Sequence, residues 1–272
     1  MSSPSISRRA LLRGAAAAAA TTLLPGTGLL GCRAPQTRAP LTLRPAGARG
    51  ARDLGWLQAR HSFSFGGYQD PAHTHFSDLR VINEDVIAPG RGFPTHPHRD
   101  MEILTYLLDG ALEHKDSMGN GSVIRPGELQ FMSAGAGVTH SEFNPDPRAS
   151  THLLQIWLLP ARRGGAPRYD QRVFTPADRY DRLALVASPD GAEGSIQIGQ
   201  DTRLYAGLLH PGRGQRHLVR GGRAAWLQVA RGQLRANGVS LGPGDGAGTL
   251  GSGVIELEAL GEVDLLLFDL RG

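Results

Sequence analysis

Turn residues divide most of this chain into short segments, and their spacing limits the architectures that it can adopt. Its 37 glycines and 18 prolines interrupt runs of apolar or alternating residues, as at Asp109-Gly110 and Pro126-Gly127. Runs of about four to eight residues, with a turn every eight to twelve residues or so, are typical of sandwiches and closed barrels. The sequence therefore predicts an all-β protein.

The turn pattern occurs twice. Gly110-Ala-Leu112 aligns with Gly232-Gln-Leu234 at an offset of 122 residues, and Pro126-Gly127 aligns with Pro243-Gly244 at an offset of 117. Repetition of this kind indicates two copies of one structural unit. We therefore predict two tandem jelly-roll-like β-barrels, with an amino-terminal barrel over residues 52–165 and a carboxy-terminal barrel over 166–272.

Two pairs of polar residues in strand-like sequence are candidate metal ligands. His96 and His98 form one pair, and His140 and Glu142 form the other. Successive side chains of a strand point to opposite faces, so residues i and i+2 share a face. If the two strands lie across a barrel from each other, three imidazoles and a carboxylate converge on one point inside it, which suits iron, manganese, nickel, copper or zinc.

The carboxy-terminal copy lacks these groups. At the offset of 122, His96 aligns with Leu218 and His98 with Arg220, and no histidine follows His217. We therefore expect the second barrel to be metal-free and to have a structural or interface role.

The first 31 residues are typical of an export signal. Ser7-Arg8-Arg9 resembles a twin-arginine motif, and an alanine-rich apolar stretch runs on to Leu29-Leu30-Gly31-Cys32, which resembles a lipoprotein cleavage site. We expect twin-arginine export to the periplasm or the cell envelope, with the membrane reached only through a lipid on Cys32. The alternatives are an uncleaved anchor or cleavage elsewhere. Residues 32–51, rich in Pro, Ala, Arg and Gly, are predicted to be a linker.

Charge gives no reason to expect a nucleic-acid partner. Removing the signal takes three arginines from the 29 basic residues and no acidic residue, which leaves 26 basic against 25 acidic residues. The high isoelectric point of the full chain therefore does not indicate nucleic-acid binding.

Several motifs together resemble a known family. Gly90-x5-His96-x-His98-x3-Glu102-x7-Gly110 resembles the first cupin motif with one extra residue before Gly110, and Gly137-x2-His140-x3-Asn144 resembles the end of the second. Seven blocks, in order, resemble the pirin family within residues 52–160. The blocks are His61-Ser-Phe-Ser-Phe65, Leu79-Arg-Val-Ile-Asn83, His96-Pro-His-Arg-Asp-Met-Glu102, Asp116-Ser-Met-Gly119, Met132-Ser-Ala-Gly135, His140-Ser-Glu142 and Leu154-Gln-Ile-Trp157.

The resemblance implies a monomeric bicupin with one divalent metal in the amino-terminal barrel. By the family pattern the ligands are His96, His98, His140 and Glu142, while Glu102 lies near the ligands without binding the metal. Iron is the expected metal, and manganese, nickel, cobalt, copper and zinc stay open. The implied activity is that of a quercetin 2,3-dioxygenase, which cleaves a flavonol or a similar aromatic enol with dioxygen. Glu142 would also be the catalytic base.

Two other functions stay open. A non-catalytic protein whose metal or redox state sets the shape of a partner surface fits the same ligands, although export excludes a transcriptional partner. A sugar-active cupin fits the fold but not the seven blocks. Further residues are candidates for the wall of an aromatic-binding pocket or for substrate contacts. These are Phe65, Met101, Phe131, Trp157, His61, Arg99 and Gln155.

Overall fold

The computed structural model describes residues 37–272, which form almost only β-strands. The predictions of a signal over 1–31 and of lipidation at Cys32 lie outside the described residues. Within the described range, the helical segments are α1 (Pro176–Arg179) and two 3-10 turns at Ala46–Ala48 and Ala192–Gly194. No helix of this part of the chain is long and apolar enough to cross a membrane.

The strands fall into two series along the chain. The first series is β1 (Thr42–Arg44), β2 (Gly50–Asp53), β3 (Leu57–His61), β4 (Leu79–Ile87), β5 (Gly92–His98), β6 (Glu102–Asp109), β7 (Leu112–Asp116), β8 (Gly121–Ile124), β9 (Glu128–Ser133), β10 (Val138–Phe143), β11 (Thr151–Leu158) and β12 (Arg168–Val173). The second series is β13 (Ala184–Ser188), β14 (Ile196–Gln197), β15 (Arg203–Leu209), β16 (Gly214–Val219), β17 (Arg223–Arg231), β18 (Leu234–Ala236), β19 (Val239–Leu241), β20 (Gly246–Thr249), β21 (Gly253–Ala259) and β22 (Val263–Arg271).

The strands build two barrels, each from a large and a small sheet. In the amino-terminal barrel the seven-stranded sheet β12-β9-β6-β11-β4-β3-β2 faces the four-stranded sheet β5-β10-β7-β8. In the carboxy-terminal barrel the sheet β1-β20-β17-β22-β15-β13-β14 faces β16-β21-β18-β19. Apolar residues that alternate along the strands fill each barrel, as expected when one face of a sheet is buried. The prediction of an all-β fold is confirmed.

The turns that repeat in sequence repeat in backbone geometry. Gly110 and Gly232 have φ values of 78° and 79°, and Gly127 and Gly244 have φ values of 91° and 82°. Positive φ is favourable for glycine and strained for other residues, so each of these turns depends on glycine. The internal repeat in the sequence therefore corresponds to equivalent corners of two barrels.

The chain does not divide between the barrels where the sequence predicts. The linker predicted over 32–51 is wrong for much of its described part, because β1 pairs with β20 of the carboxy-terminal barrel and β2 pairs with β3. A three-residue strand is too short to show a period, and its partner lies at the other end of the chain. Residues 168–173, predicted to open the second barrel, instead form β12, which pairs with β9 of the first. This edge strand is polar and half-exposed, and so resembles a connector in sequence.

The two large sheets pack against each other through their outer faces. One cluster of buried side chains joins both barrels and includes Phe63 and Leu154 from the first and Trp226 and Phe268 from the second. Burial of large aromatic and aliphatic side chains is the main stabilising contribution to such an interface. The inner face of the large sheet in the amino-terminal barrel therefore points towards the small sheet, which carries the candidate metal ligands.

Candidate metal centre

Two neighbouring strands of the small sheet carry the three histidines, so the expectation that these strands lie across the barrel from each other is wrong. Strands β5 and β10 are antiparallel with His96 opposite His140, and His98 shares a face with His96. The ring centroids are 4.5 Å apart for His96 and His140, and 4.8 Å apart for each of the other two pairs. One nitrogen from each ring lies within 4.8 Å of the others. The structure therefore brings these three predicted ligands together.

The three imidazoles are in a state that suits metal binding. Burial, reinforced by the neighbouring histidines, lowers the pKa of His140 to about 2 and that of His98 to about 4, so both are neutral near pH 7. The Nδ1–H of His96 donates to the Pro94 carbonyl at 2.8 Å, which leaves its Nε2 with a free lone pair. The buried Nε2 of His140 has no hydrogen-bond partner within residues 37–272. Ring nitrogens that converge in this way fit a divalent transition metal.

Glu142 lies beside this group. The pairing of β10 with β5 shifts between His140 and Glu142, and the Glu142 carboxylate comes within 4.8 Å of ring nitrogens of His140 and His114. Both carboxylate oxygens accept from Nε2 of Gln155, at 2.9 and 3.2 Å. Burial raises the pKa of Glu142 to about 7, although the bond from Gln155 lowers it. Coordination by Glu142 stays a prediction.

The histidines form the floor of a cavity of about 390 Å³. Aromatic side chains line it, with Trp56 against Phe93 and Phe65 against Trp157, each pair in edge-to-face contact at 5.3 Å. Sites for small molecules are commonly cavities of roughly 300–1,000 Å³ with apolar walls and a few polar groups. Among the further candidates from the sequence, Phe65, Trp157, His61 and Gln155 line the cavity.

Two acidic or basic residues at the site are absent from the sequence-based candidates. Asp85 is only 4% exposed and lines the cavity, and burial followed by the charge of Glu142 raises its pKa to about 8. Asn83 and Asp85 are polar residues two positions apart in strand β4. The i, i+2 rule could therefore have predicted that they share a face. His114 on β7 is fully buried beside His140, and its position depends on the pairing of β7 with β10.

Other candidates lie away from the metal centre. Placing Glu102 near the ligands was wrong, because its carboxylate accepts the backbone N–H groups of Gly199 and Gln200 at 2.6 and 3.0 Å, in the other barrel. Phe131 is part of the core between the barrels, since the side chains of the large sheet alternate between that core and the barrel interior. The two remaining candidates also lie outside the cavity wall. These are Met101, which packs against a small apolar cluster, and Arg99, which lies beside Gly137.

The equivalent place in the second barrel is apolar. Leu218 on β16 pairs with Val254 on β21, where His96 pairs with His140 in the first barrel. Within residues 37–272, both groups of side chains that could hold a metal belong to the amino-terminal barrel. That the second barrel is metal-free stays a prediction.

Comparison with protein families gives two matches that cover most of both barrels. The family model described as Pirin matches residues 43–158, and the model described as Quercetinase C-terminal cupin domain matches residues 185–270. Both matched ranges lie within residues 37–272.

Individual relatives match over nearly their whole length. The chain is 46% identical over 228 residues to a protein of Escherichia coli K12 named quercetin 2,3-dioxygenase, covering 84% of this chain and 97% of the relative. It is 40% identical to a pirin-like protein of Caulobacter vibrioides, covering 83% and 97%. The crystal structure of the bacterial pirin YhhW from Escherichia coli in complex with nickel(II) superposes with a TM-score of 0.82 at 44% identity, covering 85% of this chain and 99% of that one.

Proposed function

Because the chain belongs to the pirin family, we propose that it is a mononuclear metal protein that cleaves a flavonol or a similar aromatic enol with dioxygen. The reaction class is that of the Escherichia coli relative named quercetin 2,3-dioxygenase. The observation that carries the proposal is the group of three converging imidazoles in the wall of a cavity lined by aromatic side chains.

The metal would be held by His96, His98 and His140, with Glu142 as a fourth ligand. The nickel complex of YhhW supports a divalent ion, and the family resemblance favours iron. When bound, such an ion supplies a Lewis acid that lowers the pKa of a coordinated hydroxyl group and prepares the substrate for dioxygen. Three histidines and one carboxylate would hold the ion, and an ion that takes more than four ligands would keep positions open for a substrate.

In this proposal Glu142 receives a proton from the substrate. Its carboxylate is held by the side-chain amide of Gln155, whose own oxygen accepts from Thr105 Oγ1 at 3.0 Å. Donors on one side fix the orientation of the carboxylate, so it needs no rearrangement to accept a substrate proton.

The cavity supports an aromatic substrate that carries hydroxyl or carbonyl groups. Phe65 and Trp157 offer flat apolar surface, and aromatic pairs of this kind contribute about 0.5–1.5 kcal/mol beyond area burial. Within the described residues, Oδ1 of Asp85 and Nε1 of Trp157 are buried without hydrogen-bond partners. A carboxyl oxygen and an N–H donor that are both buried without partners in an apolar wall favour a ligand that can pair with both.

Oxygen consumption tests the proposal. Purified protein with its metal content measured is mixed with quercetin in an oxygen electrode, and carbon monoxide release is followed in parallel. We expect both signals to depend on the metal and to vanish in His98→Ala, whereas His210→Ala in the second barrel should behave as the wild type. Loaded metal without oxygen uptake would reject the dioxygenase and favour the non-catalytic metal-binding role.

A further inference from the structure

His140 lies next to a second histidine that belongs to none of the predicted ligand positions. Nδ1 of His114 is 3.4 Å from Nδ1 of His140, and Nε2 of His114 is 3.2 Å from Oδ2 of Asp116. The side chains of His114 and Asp116 are both fully buried. The three groups therefore form one chain of hydrogen bonds that ends at His140.

The donors and acceptors of this chain can be assigned from Asp116. Its carboxylate already accepts from the backbone N–H of Met118 and from both the backbone and the side chain of Asn120, at 2.9–3.0 Å. An ionised carboxylate only accepts, so Nε2 of His114 must carry the hydrogen that it shares with Asp116. Nδ1 of a neutral His114 is then an acceptor.

The assignment continues to His140. Two imidazole nitrogens that face each other need one donor and one acceptor, so the hydrogen between the rings belongs to Nδ1 of His140. Nε2 of His140 is then left with its lone pair, and it is the atom that has no partner within the described residues.

We propose that Asp116 and His114 are positioning residues that hold His140 in the Nδ1–H tautomer, with Nε2 free for the metal. This inference rests on the metal site of the proposed function, and extends it to two residues outside the proposed ligand set. A carboxylate behind a ligating histidine also raises the basicity of the ligand, and loss of such a partner commonly costs about 10–100-fold in metal affinity. His96 obtains the same tautomer from the Pro94 carbonyl.

The second barrel lacks both members of this chain of bonds. At the offset of 122 residues, His114 aligns with Ala236 and Asp116 aligns with Gly238. The positioning pair is therefore missing from the barrel in which the ligands are missing, as expected if it serves them.

The test is direct observation of the tautomer in the metal-stripped full chain. Two-bond ¹⁵N–¹H correlation spectra of histidine-labelled protein distinguish a protonated Nδ1 from a protonated Nε2. We expect the wild type to have Nδ1–H at His140 and Nε2–H at His114. The opposite tautomer at His140 would overturn the proposal, and this reading requires neither bound metal nor a variant.

Asp116→Asn tests the consequence. Asparagine keeps an oxygen for the backbone N–H groups of Met118 and Asn120, but it replaces Oδ2 by an N–H₂ group. That group loses the bond from the Asn120 side chain and faces Nε2 of His114, which forces that ring to change tautomer. We expect His140 to lose its Nδ1–H state, and nickel(II) affinity measured by calorimetry to fall about 10–100-fold. Asp146→Asn is the matched control, because Asp146 accepts backbone N–H groups in a loop without a histidine partner.

The outcomes separate this proposal from the proposed function. An unchanged His140 tautomer and unchanged nickel affinity in Asp116→Asn would overturn the positioning role. Nickel binding without quercetin cleavage in the wild type would reject the dioxygenase and leave the positioning role intact. Equal loss of affinity in Asp146→Asn would indicate general destabilisation and would also overturn it.

Discussion

Glu142 and Gln155 meet inside the amino-terminal barrel from opposite sheets, one on β10 and the other on β11. The contact gives the carboxylate a fixed orientation in surroundings from which water is largely excluded. A single charge in such a position can have a large effect on a proton transfer and a small effect on folding.

We therefore predict that Glu142→Gln separates turnover from stability. The variant keeps the size of the side chain but cannot accept a substrate proton, so quercetin-dependent oxygen uptake should fall by about 10²–10⁴-fold while part of the metal is retained. Glu113→Gln, on the exposed face of β7, is the control. Wild-type turnover in Glu142→Gln would remove the base assignment.

The carboxylate of Glu84 stabilises the fold through its contacts with His152 and Arg49. Burial alone would raise its pKa, but the hydrogen bond from His152 at 2.9 Å and the Arg49 guanidinium at 2.8 Å hold the pKa at about 2. The folded-state pKa is below the unfolded value of about 4.5, so the contribution of Glu84 to stability is present above pH 4.5 and is lost as the pH falls towards 2.

The corresponding variant is Glu84→Gln. At pH 7 we expect its free energy of unfolding to be lower than that of the wild type by about 1–3 kcal/mol. This gap in free energy between the two proteins should narrow between pH 5 and pH 3. Urea denaturation at several pH values measures the gap. Glu258→Gln, in an exposed pair with Arg235, should show little change at any pH. A gap at Glu84 that is independent of pH would contradict the prediction.

The limits of prediction from sequence are visible at this scale. The i, i+2 rule was sufficient to place His96 beside His98, because the alternation of a strand is local. It was not sufficient to place His114 beside His140, or Glu142 beside His114. Those depend on the register of β10 against its two neighbours and on the irregularity after His140, which are tertiary features.

At the scale of strands, the close approach of β5 and β10 determines the geometry of the site. A Cβ atom on Gly92 would lie 2.2 Å from the backbone oxygen of Glu142 and 2.5 Å from Cα of Phe143. Both contacts involve backbone, which cannot move aside as a flexible side chain can. Only glycine allows the two strands to lie at this distance.

We predict that Gly92→Ala forces β5 away from β10. The free energy of unfolding should fall by about 1–3 kcal/mol, and nickel affinity should fall because His96 and His140 lie on the two strands that separate. Calorimetry and urea denaturation measure both quantities. Gly121→Ala on β8 is the control, since its new Cβ would meet only Lys115 Cγ at 3.9 Å. Equal behaviour of the two variants would show that the close approach is unimportant.

The strand pattern was also the source of the main errors in the predicted domain boundaries. Long strands such as β6 and β11 are recognisable because most of their residues are apolar. The short β1 and the polar edge strand β12 have neither an apolar run nor a period. Their strand conformation comes from partners that are distant in sequence, and local propensity cannot reveal it.

At the scale of the whole molecule, the two barrels share one core and a polar network across their contact. The Tyr106 hydroxyl donates to Asp264 Oδ1 at 2.7 Å and accepts from Arg179 Nη1. Arg179 is itself buried. Groups of this kind are costly to leave unpaired, so the network makes each barrel dependent on the other.

Tyr106→Phe should therefore destabilise both barrels together. We expect a loss of about 1–3 kcal/mol in the free energy of unfolding, with one coincident transition by fluorescence and circular dichroism. Tyr205→Phe, on the partly exposed ring that packs on His217, is the control. Two separate transitions would contradict the view that the barrels form one cooperative unit.

The export hypothesis concerns residues outside the described range and stays a prediction. Replacing Arg8 and Arg9 by lysine should retain the protein in the cytoplasm, and Cys32→Ser should release it from the envelope into the periplasm. Cell fractionation with antibody detection measures both results. Export of the double-lysine variant at the wild-type level would reject the twin-arginine route.

The position of β1 has a consequence for synthesis. Thr42 pairs with Gly248, about 200 residues later in the chain. At a translation rate of about 5–20 residues per second, this strand leaves the ribosome roughly 10–40 seconds before its partner. The first part of the fold to be made is thus among the last to be completed, and the carboxy-terminal barrel cannot acquire its final edge strand until nearly the whole chain has been released.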